Sequence, residues 1–407
     1  MRKFVCAVLI AFIFLPHMSY AAASKFTYGA WIPFWKKTAG VQEITDHLLQ
    51  FQQISPFSYE TDASGNPIDK LKIDEGFWPM WLLAIRDLKI KVVPSVAWFD
   101  GEGLHKLLSD TTKRRAHADK LVKLAVDKKF DGIDIDYENK KTETKRYFSL
   151  FIEGLSLKLH AKKKILTCTI EPRMPAADKF KVVPKDLGYA NDYVAINKYC
   201  DEVRIMAYDQ GVIDLKRNAQ KGQDNFYAPV ADPAWVEKVI KETLKTISAK
   251  KLVLGIPTYG YEFEVIRNGD SLTYRRMRSY TYSQAMERIS GLGLTPYRNN
   301  AGEMSFTYAT STTAQVSKAL TFNVDLKSTS TIVTLTNAGS ANSTPASSTP
   351  TNSGSGAPVI SHRFASYTDA EAIADKIALA KKYKLGGVIL FKLDGETDPA
   401  LWNKIGR

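Results

Sequence analysis

An α/β chain folded as a (β/α)8 TIM barrel, with a small α+β insertion between strand 7 and its helix, is predicted by three features of the 407-residue sequence. Short apolar runs recur eight times, most are followed by an amphipathic stretch, and no glycine-rich phosphate loop follows the first run. The first two features suit parallel strands wrapped by helices. The third argues against a doubly wound sheet. With 44% hydrophobic residues, the chain can bury a core large enough for one large domain and an insertion.

Strands are expected at 26–34, 53–59, 90–97, 132–138, 165–171, 202–208, 252–259 and 387–393. Several are rich in Val and Ile without polar alternation, as parallel strands covered on both faces are. A helix over 233–247 has Asp232 as N-cap and Pro233 in its first turn, and Val236, Val239, Ile240, Leu244 and Ile247 on one face. Another spans 142–161, with Phe148, Phe151, Leu155 and Leu159 in register. After the seventh run the spacing breaks. Residues 24–261 are assigned to barrel strands 1–7, 262–364 to the insertion and 365–407 to the last part of the barrel. Within the insertion a helix is expected at 283–290 and strands at 304–308 and 320–326. A Ser/Thr-rich tract at about 327–358 is expected to be disordered, since it has too little apolar surface to bury.

Arg2 and Lys3, the apolar stretch 4–15 and the small residues Ala21, Ala22 and Ala23 read as a signal peptide over residues 1–23. The protein is therefore expected to be secreted or to lie in the cell envelope. Its net charge is +13, two units of which lie in Arg2 and Lys3. The basic residues are spread out with no nucleic-acid motif, which favours a solvated basic surface with possible cell-wall association over nucleic-acid binding. Cys168 and Cys200 remain after residue 23; a disulfide is open to them, but the apolar run around Cys168 favours a buried free thiol. The His residues have no metal-ligand spacing, and neither metal nor other cofactor is expected.

The chemistry concentrates in 130–140, FDGIDIDYENK. Asp134, Asp136 and Glu138 alternate with Ile133, Ile135 and Tyr137, so on a strand the acids share one face, spaced roughly 6–7 Å apart. The apolar set suits the helix layer, which turns the acids into the barrel. Glu138 then lies at the carboxyl end of the strand, where barrels place their active sites. A calcium loop would need polar spacers and a glycine after its third acid, and Asn139 stands there.

Asp131-Gly132-Ile133-Asp134-Ile135-Asp136-Tyr137-Glu138 resembles the strand-four signature DGxDxDxE of the family 18 glycoside hydrolases, the chitinase-like group. Met206-Ala207-Tyr208-Asp209 is similar to the family's MxYD, residues 254–260 to its strand-seven pattern, and Gly386-Gly387-Val388 to the start of its last strand. The resemblance spans nearly the whole chain after residue 23, excluding the Ser/Thr-rich tract. It implies hydrolysis of β-1,4-linked N-acetylglucosamine glycans, with retention and with the substrate's own acetamido group as nucleophile. Glu138 would be acid and base, Asp136 would bind the acetamido N–H, Asp134 would exchange a proton with Asp136, and Tyr208 would orient the acetamido carbonyl. Met206, Asp209, Phe391, Trp31, Trp98 and Tyr259 are expected to contact the sugar, with Trp35, Tyr59 and Tyr261 as further stacking candidates. The expected partner is a polysaccharide or oligosaccharide, and the protein is expected to be a monomer.

Two departures bear on substrate. Ser95-Val96-Ala97-Trp98 replaces the family's SxGG, and Phe391 stands where a tryptophan usually floors the catalytic subsite. Residues 54–60, ISPFSYE, look more like members acting on bacterial wall glycans, so peptidoglycan is the alternative substrate. Two further alternatives are a non-catalytic chitin-binding lectin, and an amylase-like or cellulase-like hydrolase with Glu171 as nucleophile.

Overall fold

The structure is a computed structural model that describes residues 26–310, 321–324 and 361–406, apart from 180–181, 186, 214–216, 218–220, 222–224 and 269–270. The expected signal peptide and the Ser/Thr-rich tract lie outside the described residues. Eight parallel strands close into a barrel in chain order: Thr27–Pro33, Gln53–Thr61, Ser95–Trp98, Gly132–Tyr137, Ile165–Ile170, Glu202–Ile205, Leu252–Pro257 and Gly387–Phe391. The first strand pairs with both the second and the last, which closes the ring. The expected run 90–97 is broken. Lys91–Val92 and Ser95–Trp98 pair separately with the second strand, because Pro94 has no N–H to give the ladder.

Why the acids turn inward is visible in the packing. Ile133, Ile135 and Tyr137 are fully buried in the main core, among residues of the surrounding helices such as Phe148 and Phe151 of Lys145–His160. At Gly132, an added Cβ would meet the Ile165 carbonyl oxygen at 2.2 Å, so only glycine allows the fourth and fifth strands to approach so closely. A separate apolar cluster fills the barrel interior, formed by Trp31, Phe57, Ala97, Val253 and Ile389.

A six-stranded antiparallel sheet follows the seventh barrel strand, built from Tyr259–Asn268, Ser271–Thr281, Tyr297–Arg298, Met304–Thr310, Thr321–Val324 and Ser361–Tyr367. It begins three residues before the expected start of the insertion and ends three after its expected end. The helix Tyr282–Leu292 opens on a capping box between Thr281 and Gln284 and ends at Gly293, whose φ of 61° is left-handed.

The free-thiol expectation is overturned. Cys168, on the fifth strand, is disulfide-bonded to Cys200, with Cα atoms 6.1 Å apart. Both are fully buried, so an apolar setting accommodated a disulfide as readily as a thiol. No helix of the described residues is long and apolar enough to cross a membrane.

Candidate functional site

Register places the acids. Asp134 lies opposite Ser95 on the third strand and Thr167 on the fifth, while Asp136 lies opposite Ala97. Asp134 is fully buried and surrounded. It accepts from Ser95 Oγ at 2.5 Å, Thr167 Oγ1 at 2.8 Å and Thr169 Oγ1 at 2.9 Å. The guanidinium of Arg204 lies 3.1 Å away, with both side chains fully buried. Arg204 also donates to Glu202 at 2.8 Å and to Ser55 at 2.9 Å. Among the described residues no hydrogen bond joins Asp134 to Asp136, so the expected proton exchange has no direct link in this geometry.

One turn of the pleat further on, satisfaction gives way to strain. Asp136 is only 5% exposed, and its Oδ1 is buried without a hydrogen-bond partner. Burial, followed by the charges of Glu138 and Asp134, pushes its carboxyl well above the ordinary range. Glu138 is raised to about 7, first by burial and then by Glu171. Lys140 opposes that rise: its Nζ reaches the Tyr137 carbonyl and lies 3.5 Å from Glu171. A carboxyl poised near neutrality can both give and take a proton there.

The sixth strand ends at Ile205, and Met206, Tyr208 and Asp209 follow at its mouth. Asp209 adopts a left-handed φ of 59°, uncommon outside glycine but tolerated by Asp. Its Oδ1 accepts from Tyr259 at 2.6 Å and Tyr261 at 2.9 Å. The Tyr208 ring stacks on Phe391, centroids 5.4 Å apart and planes within 10°. Trp31 meets Phe391 edge-on and donates from Nε1 to Ser95 at 3.0 Å.

These groups line a pocket of about 380 Å³ at the carboxyl end of the barrel. Asp136, Glu138, Tyr208, Met206, Asp209, Phe391 and Trp31 all face it, together with the half-exposed Trp35. Its size falls within the range of small-ligand sites. Tyr259 and Tyr261 line an adjoining hollow instead.

Two aromatic expectations are corrected. Trp98 is 4% exposed and packs against Tyr137 and His117 in the helix layer. Ser95 and Ala97 point inward, so strand alternation sends Trp98 outward. Tyr59 is turned the same way and packs on Phe130, because a bulge between Phe57 and Tyr59 shifts the register. That bulge turns Glu60 inward, where it lines the pocket. Glu60, Phe99, Thr169, Lys140 and Arg204 were missed in the sequence. Arg204 was findable: a lone Arg at an inward position of a Val/Ile strand demands a buried acid. Glu171 accepts from Asn191 at 2.6 Å and is not among the pocket-lining residues. Among the described residues no group of three or more His, Cys, Asp or Glu could hold a metal ion.

Comparison with known proteins gives four relationships. The model of the glycosyl hydrolases family 18 matches residues 25–396. Over 211 residues the chain is 30% identical to the uncharacterized glycosylase YvbX of Bacillus subtilis (strain 168), covering 52% of this chain and 55% of that protein, so just over half of the relative's length is spanned. Among solved structures, a chitinase from Chromobacterium violaceum superposes with a TM-score of 0.63 at 21% identity, covering 93% of this chain and 98% of that one. The spore cortex-lytic enzyme SleL of Bacillus megaterium gives 0.65 at 14% identity, covering 95% and 75%. At these identities the structural likenesses speak for the fold.

Proposed function

This chain belongs to the glycosyl hydrolases family 18, and from that premise we propose that it cleaves β-1,4-linked N-acetylglucosamine glycans by a retaining, substrate-assisted route. One observation carries the proposal: Asp136, Glu138 and Tyr208 face a single pocket, and Glu138 is raised to about 7. The protonated Glu138 gives its proton to the glycosidic oxygen as the bond to the anomeric carbon breaks. The acetamido carbonyl oxygen bonds to that carbon, giving a cyclic oxazolinium ion, and no protein nucleophile is needed. Asp136, unpartnered at Oδ1, accepts from the acetamido N–H, and that hydrogen bond draws positive charge off the ring nitrogen. Tyr208 donates to the acetamido oxygen and holds it in line. Glu138, now a carboxylate, takes a proton from water as that water attacks the anomeric carbon and opens the ring.

Bacterial wall glycan is the second substrate reading, favoured by the cationic hollow beside the pocket. Export from the cytoplasm belongs to the same proposal, and rests on Arg2, Lys3, the apolar stretch after them and Ala21, Ala22 and Ala23. The test is digestion of chitooligosaccharides and purified peptidoglycan side by side, with products weighed and the Glu138→Gln variant in parallel. Hydrolysis lost in the variant is expected. Undiminished hydrolysis ends the proposal, and binding of chitooligosaccharides without any cleavage by the unaltered protein would make it a lectin.

A further inference from the structure

The cleft does not end at the pocket. A hollow of about 670 Å³ continues from it across the antiparallel sheet, and the two share Trp35, Asp209 and Phe391 as walls. A glycan threaded through one therefore runs into the other. Three cations line the hollow, Arg276, Arg278 and Lys392, and they are not equivalent. Lys392 is paired with Asp394. Arg278 lies 3.7 Å from the buried Glu262. Arg275, next along the strand, is paired with the buried Glu264. No carboxylate among the described residues pairs with Arg276. Its guanidinium lies 5.0 Å from the centroid of the Tyr261 ring, which satisfies none of its N–H donors. The one acid lining the hollow, Asp209, already accepts from Tyr259 and Tyr261.

A half-buried guanidinium, fixed on an aromatic face beside a sugar-sized pocket and left without an anion, is built to receive one. We propose that Arg276 binds a carboxylate carried on the glycan, and so selects an acidic glycan over neutral chitin; this rests on the hydrolase reading of the adjoining pocket. The planar fork matches a carboxylate in a way that a lysine cannot. Two sources of that carboxylate share the chemistry: an acid ether on the sugar ring itself, or the peptide stem that some wall glycans carry.

The test is binding to the full chain bearing Glu138→Gln, so that nothing is turned over. The probes are a wall tetrasaccharide with free lactyl acids, its methylamide, and the same glycan with peptide stems. The acid is expected to bind at least about tenfold more tightly than the methylamide. Adding Arg276→Ala should erase that ratio, and Arg276→Lys should restore only part of it. Tight binding of only the stem-bearing glycan would keep Arg276 as the receptor and move the carboxylate to the peptide. The proposal is overturned by an acid-to-amide ratio near one with no tighter binding of the stem-bearing glycan, or by a preference for either carboxylate-bearing probe that survives Arg276→Ala. Turnover by the unaltered enzyme reads the hydrolase proposal separately: lost turnover with an intact ratio sinks that one alone.

Discussion

The floor and the mouth of the fourth strand carry the same residue type and treat it in opposite ways. At the floor, Asp134 has a buried cation and three hydroxyls. At the mouth, Asp136 keeps an oxygen with no partner and Glu138 is lifted to about 7. Asp134 and Asp136 are both buried, so burial alone does not separate them. Partners do. A buried acid given a full set of partners anchors the strand, whereas one denied them is left to react with whatever enters.

The sharpest way to break this contrast is at the mouth. Glu138→Gln should lower kcat by about 10²–10⁴-fold, the range of a lost general acid–base group, while oligosaccharide affinity persists. The corresponding change at the floor should act on folding instead. Arg204→Met leaves Asp134 buried and unpaired and is expected to cost about 3–5 kcal/mol in denaturant unfolding. Asp136→Asn, by contrast, should abolish turnover with little loss of stability; a large stability loss there would erase the distinction between the two ends.

The disulfide braces the floor from outside, since Cys168 lies between Thr167 and Thr169, the two threonines that hold Asp134. Replacing both cysteines by serine should cost about 2–4 kcal/mol without moving the pH profile of activity. The smallest effect is expected at the mouth's aromatic wall. Phe391→Leu removes the ring stacked on Tyr208, worth about 0.5–1.5 kcal/mol, and should appear in KM rather than in melting temperature.

How much of this was legible in the sequence follows the same division. Barrel strands are buried on both faces and announce themselves as short apolar runs, several of them rich in Val and Ile, so all eight were found. Alternating acids on one of them declared their own face. What alternation cannot show is a break in alternation: the bulge at Phe57–Tyr59 exchanged Tyr59 for Glu60, and no local composition marks it. Trp98 was a different failure. Counting from the inward Ser95 would have sent it outward. The hairpin Tyr259–Asn268 and Ser271–Thr281 was missed although Asn268-Gly269 is a turn signal between two alternating runs. The Cys168–Cys200 pairing was not readable, because the apolar setting suits a thiol as well as a disulfide.

The central claim is that Glu138 stays protonated close to neutrality and is the proton donor. Its carboxyl is raised from 4.5 to about 7, so between those values the folded chain holds a proton that the unfolded chain has lost. Stability conferred by that group is therefore present at low pH and declines as pH rises through about 7. Activity requiring the protonated acid must fall as pH rises through about 7. The direct measurement is carboxyl titration of glutamate side chains by carbon-13 NMR in the whole protein, beside the pH dependence of kcat/KM. A single resonance titrating near 7, absent in Glu138→Gln and coincident with the alkaline fall in rate, is the predicted result. A Glu138 resonance titrating at its ordinary value near 4.5, with activity undiminished well above pH 7, would contradict it.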